Sequence, residues 1–294
     1  MGAKSNNIME NSIYWIWLSI LNFTPNQKNI LYEIFKHPKI IFNSDESYLR
    51  KFTDSNDTIQ KILDKEKKKQ AEKIFYESEK RKIKCITVEN NEYPLSLKNI
   101  YNRPLVLYAK GNIEKLKNKN KIAIVGSRKC SEYGKMITQR FSYLLSKKDF
   151  TIVSGMAKGI DSYAHMGTIL AKGTTIAVLG SGIEYIYPEE NKKLYNKILD
   201  TAGIIISEYP LYTKPVPENF PMRNRIISGI SDKVLITEAG IKSGSIITAN
   251  LAVEQGKDVY AIPGNITYKQ SEGTNQLIKD GAFLVTRLED IANI

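Results

Sequence analysis

Three short apolar runs restrict the fold more than any other feature of the chain. They are Ile122–Val125, Thr151–Val153 and Thr175–Leu179, and each closes on a Gly/Ser-rich turn within residues 121–182. Between them lie two segments of helical length. Ile137, Phe141, Leu144 and Leu145 give one apolar stripe; Ile160, Tyr163, Ala164 and Ile169 give the other. Continuous β-rich runs alternating with amphipathic helices predict βαβ units in a parallel sheet buried on both faces. Right-handed crossovers then bring the strand ends to one edge, where such sheets bind ligands.

At that edge the sequence places Gly126-Ser127-Arg128, then Ser154-Gly155 with Lys158 three residues on, and then Gly180-Ser181. A later turn, Ser243-Gly244-Ser245, opens another helix. Glycine lets backbone approach a ligand closely, and a helix N-terminus offers unpaired N–H groups and the positive end of its dipole. A single such turn is explained by tight strand-to-helix geometry alone. Several together, with Arg128 inside the first, predict a cradle for phosphates.

The same alternation continues to the end of the chain. Helices are expected at Glu189–Leu199, Gly244–Gln255, Thr274–Lys279 and Leu288–Ile291, and strands at Gly203–Ser207, Lys233–Thr237, Asp258–Ile262 and Phe283–Val285. The proline-interrupted stretch over residues 206–225 reads as a long loop of the kind that carries function. Ahead of the sheet, residues 12–80 read as helical, with Trp15 and Trp17 as core or interface residues and a single charged helix over Asp57–Lys82. Strands are expected at Ile83–Val88 and Leu105–Tyr108. The domain expectation is a helical domain over residues 1–82 and a Rossmann-like one over 83–294: an α/β, doubly wound, mostly parallel sheet.

Charge and motifs narrow the chemistry. The net charge is +12, of which +8 falls in residues 1–120, much of it in a lysine run around Lys65–Lys84 that reads as a solvated helix face. Only two cysteines, Cys85 and Cys130, are present and they lack C-x-x-C spacing, so neither a disulfide framework nor a zinc site is indicated. No apolar run is long enough to span a membrane. The burst Ile13–Leu21 lacks a basic flank and a small-residue cleavage site, so a cytoplasmic protein is expected.

No G-x-x-x-x-G-K-[ST] occurs, the first strand does not end in G-x-G-x-x-G, and Gly-x-Ser-x-Gly is missing. Nucleoside triphosphatase, dinucleotide and acyl-transfer chemistry are therefore poorly supported. His37 and His165 are the only histidines. Lys192 and Lys193 open the helix after the third turn, with Tyr195 close behind; Arg223 and Arg225 bracket Asn224. Cations around a backbone cradle with an aromatic in reach match what an unpaired nucleic-acid strand needs. Tyr195 as a packing residue, and Arg223 and Arg225 as buried ion pairs, for example with Glu238, are the competing readings.

The segments GSR (126–128), SGMAKGIDSYAH (154–165), TIAVLGSGIEYIYPEENKKL (175–194), ISEYP (206–210), FPMRNRIISGIS (220–231), EAGIKSGSIITA (238–249) and IPGN (262–265) together resemble the DNA-processing protein family DprA, also called Smf. The resemblance covers about residues 84–285. It implies a Rossmann-like fold that binds single-stranded DNA without enzymatic activity or cofactor, works as a homodimer, protects incoming strands and helps load the RecA recombinase during natural transformation.

Carried onto this chain, Arg128 with its turn, Gly134 and the Lys192/Lys193 segment would contact DNA. The dimer surface would lie around Asn275–Phe283 and overlap the recombinase contact. The helical region resembles a sterile-alpha-motif-like domain, and no C-terminal winged helix is expected. An alternative is a hydrolase of nucleotide glycosidic bonds, with Glu238 near an Arg beside the phosphate loop, although the P-G-G-x-G-T-x-x-E arrangement of those enzymes is missing. A DNA-packaging protein, which would prefer duplex, is a further alternative.

Overall fold

The strands that the apolar runs predict form, and their central residues are buried in all but the edge strand, where Phe283 and Leu284 are exposed. In the computed structural model, which describes residues 2–291, β3 (Lys121–Val125), β4 (Thr151–Ser154), β5 (Thr175–Leu179), β6 (Ile204–Ser207), β7 (Lys233–Ile236), β8 (Asp258–Ala261) and β9 (Phe283–Leu284) lie side by side. Their spatial order is β6-β5-β4-β3-β7-β8-β9, and the neighbours pair in parallel. Ile122 stands opposite Ile152 on one side and Lys233 on the other. The sequence runs outward from β3 to β6, returns to the far side of β3 as β7, and runs outward again. The turn-round between β3 and β7 is the topological switch point, where ligands bind in sheets of this kind.

Helices cover both faces. The helices α8 (Glu132–Lys147) and α9 (Ile160–Leu170) pack on the face that shows Ile122, Ile124 and Ile152, with Phe141, Leu145, Ile160 and Ala164 closing a core that reaches Leu235 and Tyr260. The helix α10 (Lys192–Asp200) follows α9, whereas α11 (Asn219–Ile230) and α12 (Gly244–Glu254) pack against each other and against the sheet. The last helix is α13 (Glu272–Lys279). Burial on both faces is why these strands read as unbroken apolar runs rather than as alternations.

The chain divides into two compact units, residues 1–93 with 101–108 and residues 94–100 with 109–294. In the first, α1 (Gly2–Ile20) packs with α3 (Pro38–Asn43) and α6 (Glu66–Lys80). Trp15 and Trp17 are buried, and Trp17 meets Phe42 edge-on at 5.3 Å. Thr24 and Gln27 form a capping box for α2 (Pro25–Phe35), with Pro25 at its first position. The short α4 (Glu46–Leu49) starts on Asp45.

The strands β1 (Lys84–Thr87) and β2 (Val106–Gly111) begin in this unit, because β1 packs on α6 and buries Cys85 and Ile86 among the helices. A boundary at 82/83 cuts ahead of that packing. The short α7 (Leu95–Lys98) belongs to the second unit.

Two local expectations are corrected. The helix expected over Asp57–Lys82 breaks into α5 (Asn56–Leu63) and α6, because the Asp64 carboxylate accepts the N–H of Glu66 at 3.0 Å and offers the backbone an alternative to continuing the helix. The loop expected over residues 206–225 ends early. α11 already includes Phe220 and Pro221, proline being tolerated in a first turn whose N–H groups have no intrahelical partner.

Candidate nucleic-acid interface

The loops that leave β3, β4 and β7 surround one cleft at the switch point. It has a volume of ≈ 780 Å³ and is lined by Gly126, Ser127, Arg128 and Lys129 from the first loop, Ala157 from the second, and Gly240, Lys242, Ser243 and Gly244 from the third. Tyr187, Phe220 and Lys269 complete its rim, and Asp161 and Arg223 lie at its base.

The loops hold one another in place. Ser127 donates its N–H to the Glu238 carbonyl at 2.7 Å, which ties the β3 loop to the β7 loop. The Glu238 side chain accepts from the Ser131 N–H at 2.9 Å and from the Ser131 hydroxyl, which in turn accepts the Gly134 N–H at 3.0 Å as the cap of α8. Gly159 has φ +75°, and a Cβ there would stand 2.3 Å from the Ser127 carbonyl oxygen. Only glycine allows that approach of the β4 loop to the β3 loop. Asp161, in the first turn of α9, accepts the Gly155 N–H at 3.0 Å and the Ala157 N–H at 3.4 Å. Burial pushes its carboxyl above the usual range, against the opposing pull of the Arg223 guanidinium.

Several residues singled out from the sequence are engaged in holding the fold. Arg223 is buried, donates to the carbonyls of Gly155 (2.8 Å) and Val178, and bolts α11 to the ends of β4 and β5; burial lowers its pKa to about 10. Arg225 is buried too, with both oxygens of Glu208 on its Nη2 at 2.6 and 2.8 Å. The ion-pair reading holds for Arg225, with Glu208 and not Glu238 as the partner.

Tyr195 is a packing residue whose hydroxyl donates to the Ile183 carbonyl at 3.2 Å and whose pKa burial raises. The Ser154 hydroxyl donates to Ile124 O and that of Ser181 to Tyr185 O, both buried. Gly180 is buried against the Phe220 ring. Lys158, Lys192 and Lys193 are exposed but do not line the cleft; Lys158 pairs with Glu190 just ahead of α10. Of the residues singled out from the sequence, the fold brings Gly126, Ser127, Arg128, Ser243 and Gly244 together at the cleft, with Arg223 at its base.

The chemistry of the cleft is cationic and aromatic. Arg128, Lys129, Lys242 and Lys269 are exposed on its lining, and its carboxylate, Asp161, is buried. The Arg128 guanidinium carbon lies 5.5 Å from the centre of the Phe220 ring, and Tyr187 meets Phe220 at 5.5 Å with a 44° tilt. Among the described residues no carboxylate pairs with Arg128.

Phe220, Tyr187, Lys129, Lys242 and Lys269 were not foreseen. The available signal was the F-P-M-R-N-R segment, whose proline masks a helix start. The acid–base candidates lack access. Glu238 is engaged by Ser131 and absent from the cleft lining, and His165 is buried with Nδ1 2.7 Å from Thr175 Oγ1, its pKa driven down to about 3 by burial.

A doubly wound α/β protein with a basic, aromatic cleft at its switch point is thus defined by geometry alone. Residues 84–294 match the family model described as DNA recombination-mediator protein A. The chain is 43% identical over 209 residues to DNA processing protein DprA of Bacillus subtilis strain 168, covering 71% of this chain and 70% of that one. It is 42% identical over 206 residues to protein Smf of Escherichia coli K12, covering 70% and 55%.

Among solved structures, the X-ray structure of DprA from Streptococcus pneumoniae superposes with a TM-score of 0.78 at 34% identity over 95% of each chain. The Helicobacter pylori protein, described for its single-stranded DNA binding mode, gives 0.63 at 31% identity over 71% of this chain and 94% of its own. The chain belongs to the DNA recombination-mediator protein A family, the DprA/Smf group of DNA-processing proteins.

Proposed function

We propose that this chain binds single-stranded DNA in the cleft between the β3, β4 and β7 loops, without sequence preference and without catalysing a reaction. The observation that carries this reading is Arg128: exposed, with no carboxylate partner among the described residues, and laid beside Phe220. Its planar fork suits a phosphate, and the ring beside it suits a base. Lys129, Lys242 and Lys269 extend the positive rim, so the sugar–phosphate chain tracks across it while Phe220 and Tyr187 offer stacking faces. The Helicobacter pylori relative, whose structure is described for its single-stranded DNA binding mode, supports an unpaired DNA strand as the ligand.

Lys192 and Lys193, exposed at the start of α10, steer the strand toward the cleft through their charge, with Lys158 on the neighbouring loop paired to Glu190. Within the cell the bound strand is incoming DNA, which the protein shields in the cytoplasm and passes to the RecA recombinase in natural transformation. The protein acts as a homodimer through the region around Asn275–Phe283. Support for that surface comes from β9, the last strand of the sheet, whose Phe283 and Leu284 are exposed apolar residues on an unpaired edge.

Titrating labelled single-stranded and duplex oligonucleotides at two salt concentrations tests the reading. The unpaired strand binds more tightly, and its affinity falls steeply with salt through counterion release. Equal or tighter duplex binding at both salt concentrations contradicts it.

A further inference from the structure

A second groove lies on the outer surface of the sheet domain, over the seam between α8 and α9. Its volume is ≈ 630 Å³. The two helices meet closely because Gly167 of α9 has no side chain: a Cβ there would fall 2.0 Å from the Ser142 hydroxyl and 2.3 Å from the Gln139 carbonyl. Larger side chains on either side of that contact form the walls. Tyr143, Met136 and Leu170 are exposed there, and Tyr163 is half-buried.

What distinguishes this groove from an ordinary apolar patch is the cations set on its rings. Lys135 Nζ lies 5.9 Å from the centre of Tyr163, and Lys147 Nζ lies 5.5 Å from the centre of Tyr143. Arg140 is exposed between them, and among the described residues no carboxylate pairs with it. Glu132 is the acidic member of the lining, and Lys135 already pairs with it.

Tyr, Met and Arg also mark protein–protein interfaces, but those are depleted in lysine; rings with lysines set on them are what an unpaired strand uses, phosphate by phosphate and base by base. The groove also begins close to the cleft. Lys129 lines the cleft and Glu132 lines the groove, and three residues of chain span at most about 11 Å.

We propose that the α8–α9 groove is a second track for single-stranded nucleic acid, which takes up the part of a long strand that leaves the cleft past Arg128 and Lys129. Arg140 and Lys147 contact its phosphates, and Tyr143 stacks with a base. The inference rests on the cleft reading above, and strand length separates the two.

The test is fluorescence anisotropy with oligo-dT of about 6 nucleotides, which fits the cleft alone, and of about 20, which extends beyond it. Wild-type protein binds the long strand more tightly and with a steeper salt dependence. Arg140→Ala lowers the salt slope on the long strand by about one unit, and Tyr143→Ala weakens long-strand binding roughly tenfold. Both leave the short strand unchanged. Met136→Glu, which places a negative charge in the groove, likewise weakens only the long strand.

Variants that bind the long strand as the wild type does overturn the track while leaving the cleft intact; so does a change in self-association in Tyr143→Ala, which would assign the groove to a second copy. Absence of short-strand binding in the wild type overturns the cleft and the track together.

Discussion

Arg128 and Phe220 divide the work of holding a strand in a way that experiment can separate. A guanidinium that neutralises a phosphate acts through counterion release, so its contribution appears in the salt slope. A ring that stacks on a base contributes about 1–3 kcal/mol with little dependence on salt. Phe220→Ala therefore weakens oligo-dT binding by roughly tenfold or more while the slope stays that of the wild type, measured by anisotropy across a salt series.

The buried arginines behave differently because their charges are already engaged. Arg225 gives both Glu208 oxygens a hydrogen bond inside the protein, and Arg223 donates from Nη1 to two backbone carbonyls and from Nε to Asn224 Oδ1. Removing one partner of such a buried pair leaves an uncompensated charge and costs stability rather than affinity.

At the scale of elements, the cleft depends on loops that are mutually fixed rather than merely adjacent. Gly159 is the tightest point, with positive φ and the Ser127 carbonyl where a side chain would be. Gly159→Ala costs on the order of 1–3 kcal/mol of stability and also weakens oligo-dT binding, because the β4 loop can no longer close on the β3 loop. Chemical denaturation and a binding titration on the same variant check both parts. Unchanged affinity in a destabilised variant would show that the loop contact does not shape the cleft.

The strands and the first loop were legible in the sequence for a physical reason. Parallel strands buried on both faces cannot alternate, so Ile122–Val125 and Thr175–Leu179 stand out, and the glycines that follow mark the strand-to-helix turns. The partner of Arg225 was not legible, because Glu208 lies 17 residues away and pairing across that distance depends on how α11 packs. Tyr195 shares its spacing from Lys192 and Lys193 with a stacking residue but turns inward on α10, whose inner face is Leu194, Tyr195 and Ile198. Phe220 was hidden by Pro221, which reads as a loop signal and here sits in the first turn of a helix. The break at Asp64 is likewise set by one side chain and leaves no trace in the apolar pattern.

For the whole molecule, stability and binding respond to different groups. His165 is buried between α9 and β5 with its ring neutral; its pKa in the folded protein is about 3, below the ordinary 6.5. The unfolded chain therefore takes up a proton at this residue that the folded protein refuses. Its contribution to stability is complete above about pH 6.5 and is lost as pH falls toward 3, with a slope of up to about 1.4 kcal/mol per pH unit. His165→Gln flattens that part of the acid limb in denaturant titrations at stepped pH, and an unchanged limb would contradict a neutral buried ring.

Among the described residues no helix is long and apolar enough to cross a membrane, and the positive charge that matters for the proposed ligand is gathered at one rim of the sheet. The decisive measurement is the salt dependence of oligo-dT binding by the wild type and by Arg128→Ala. The account predicts weaker binding and a slope smaller by about one unit in the variant. Superimposable wild-type and variant curves would contradict it.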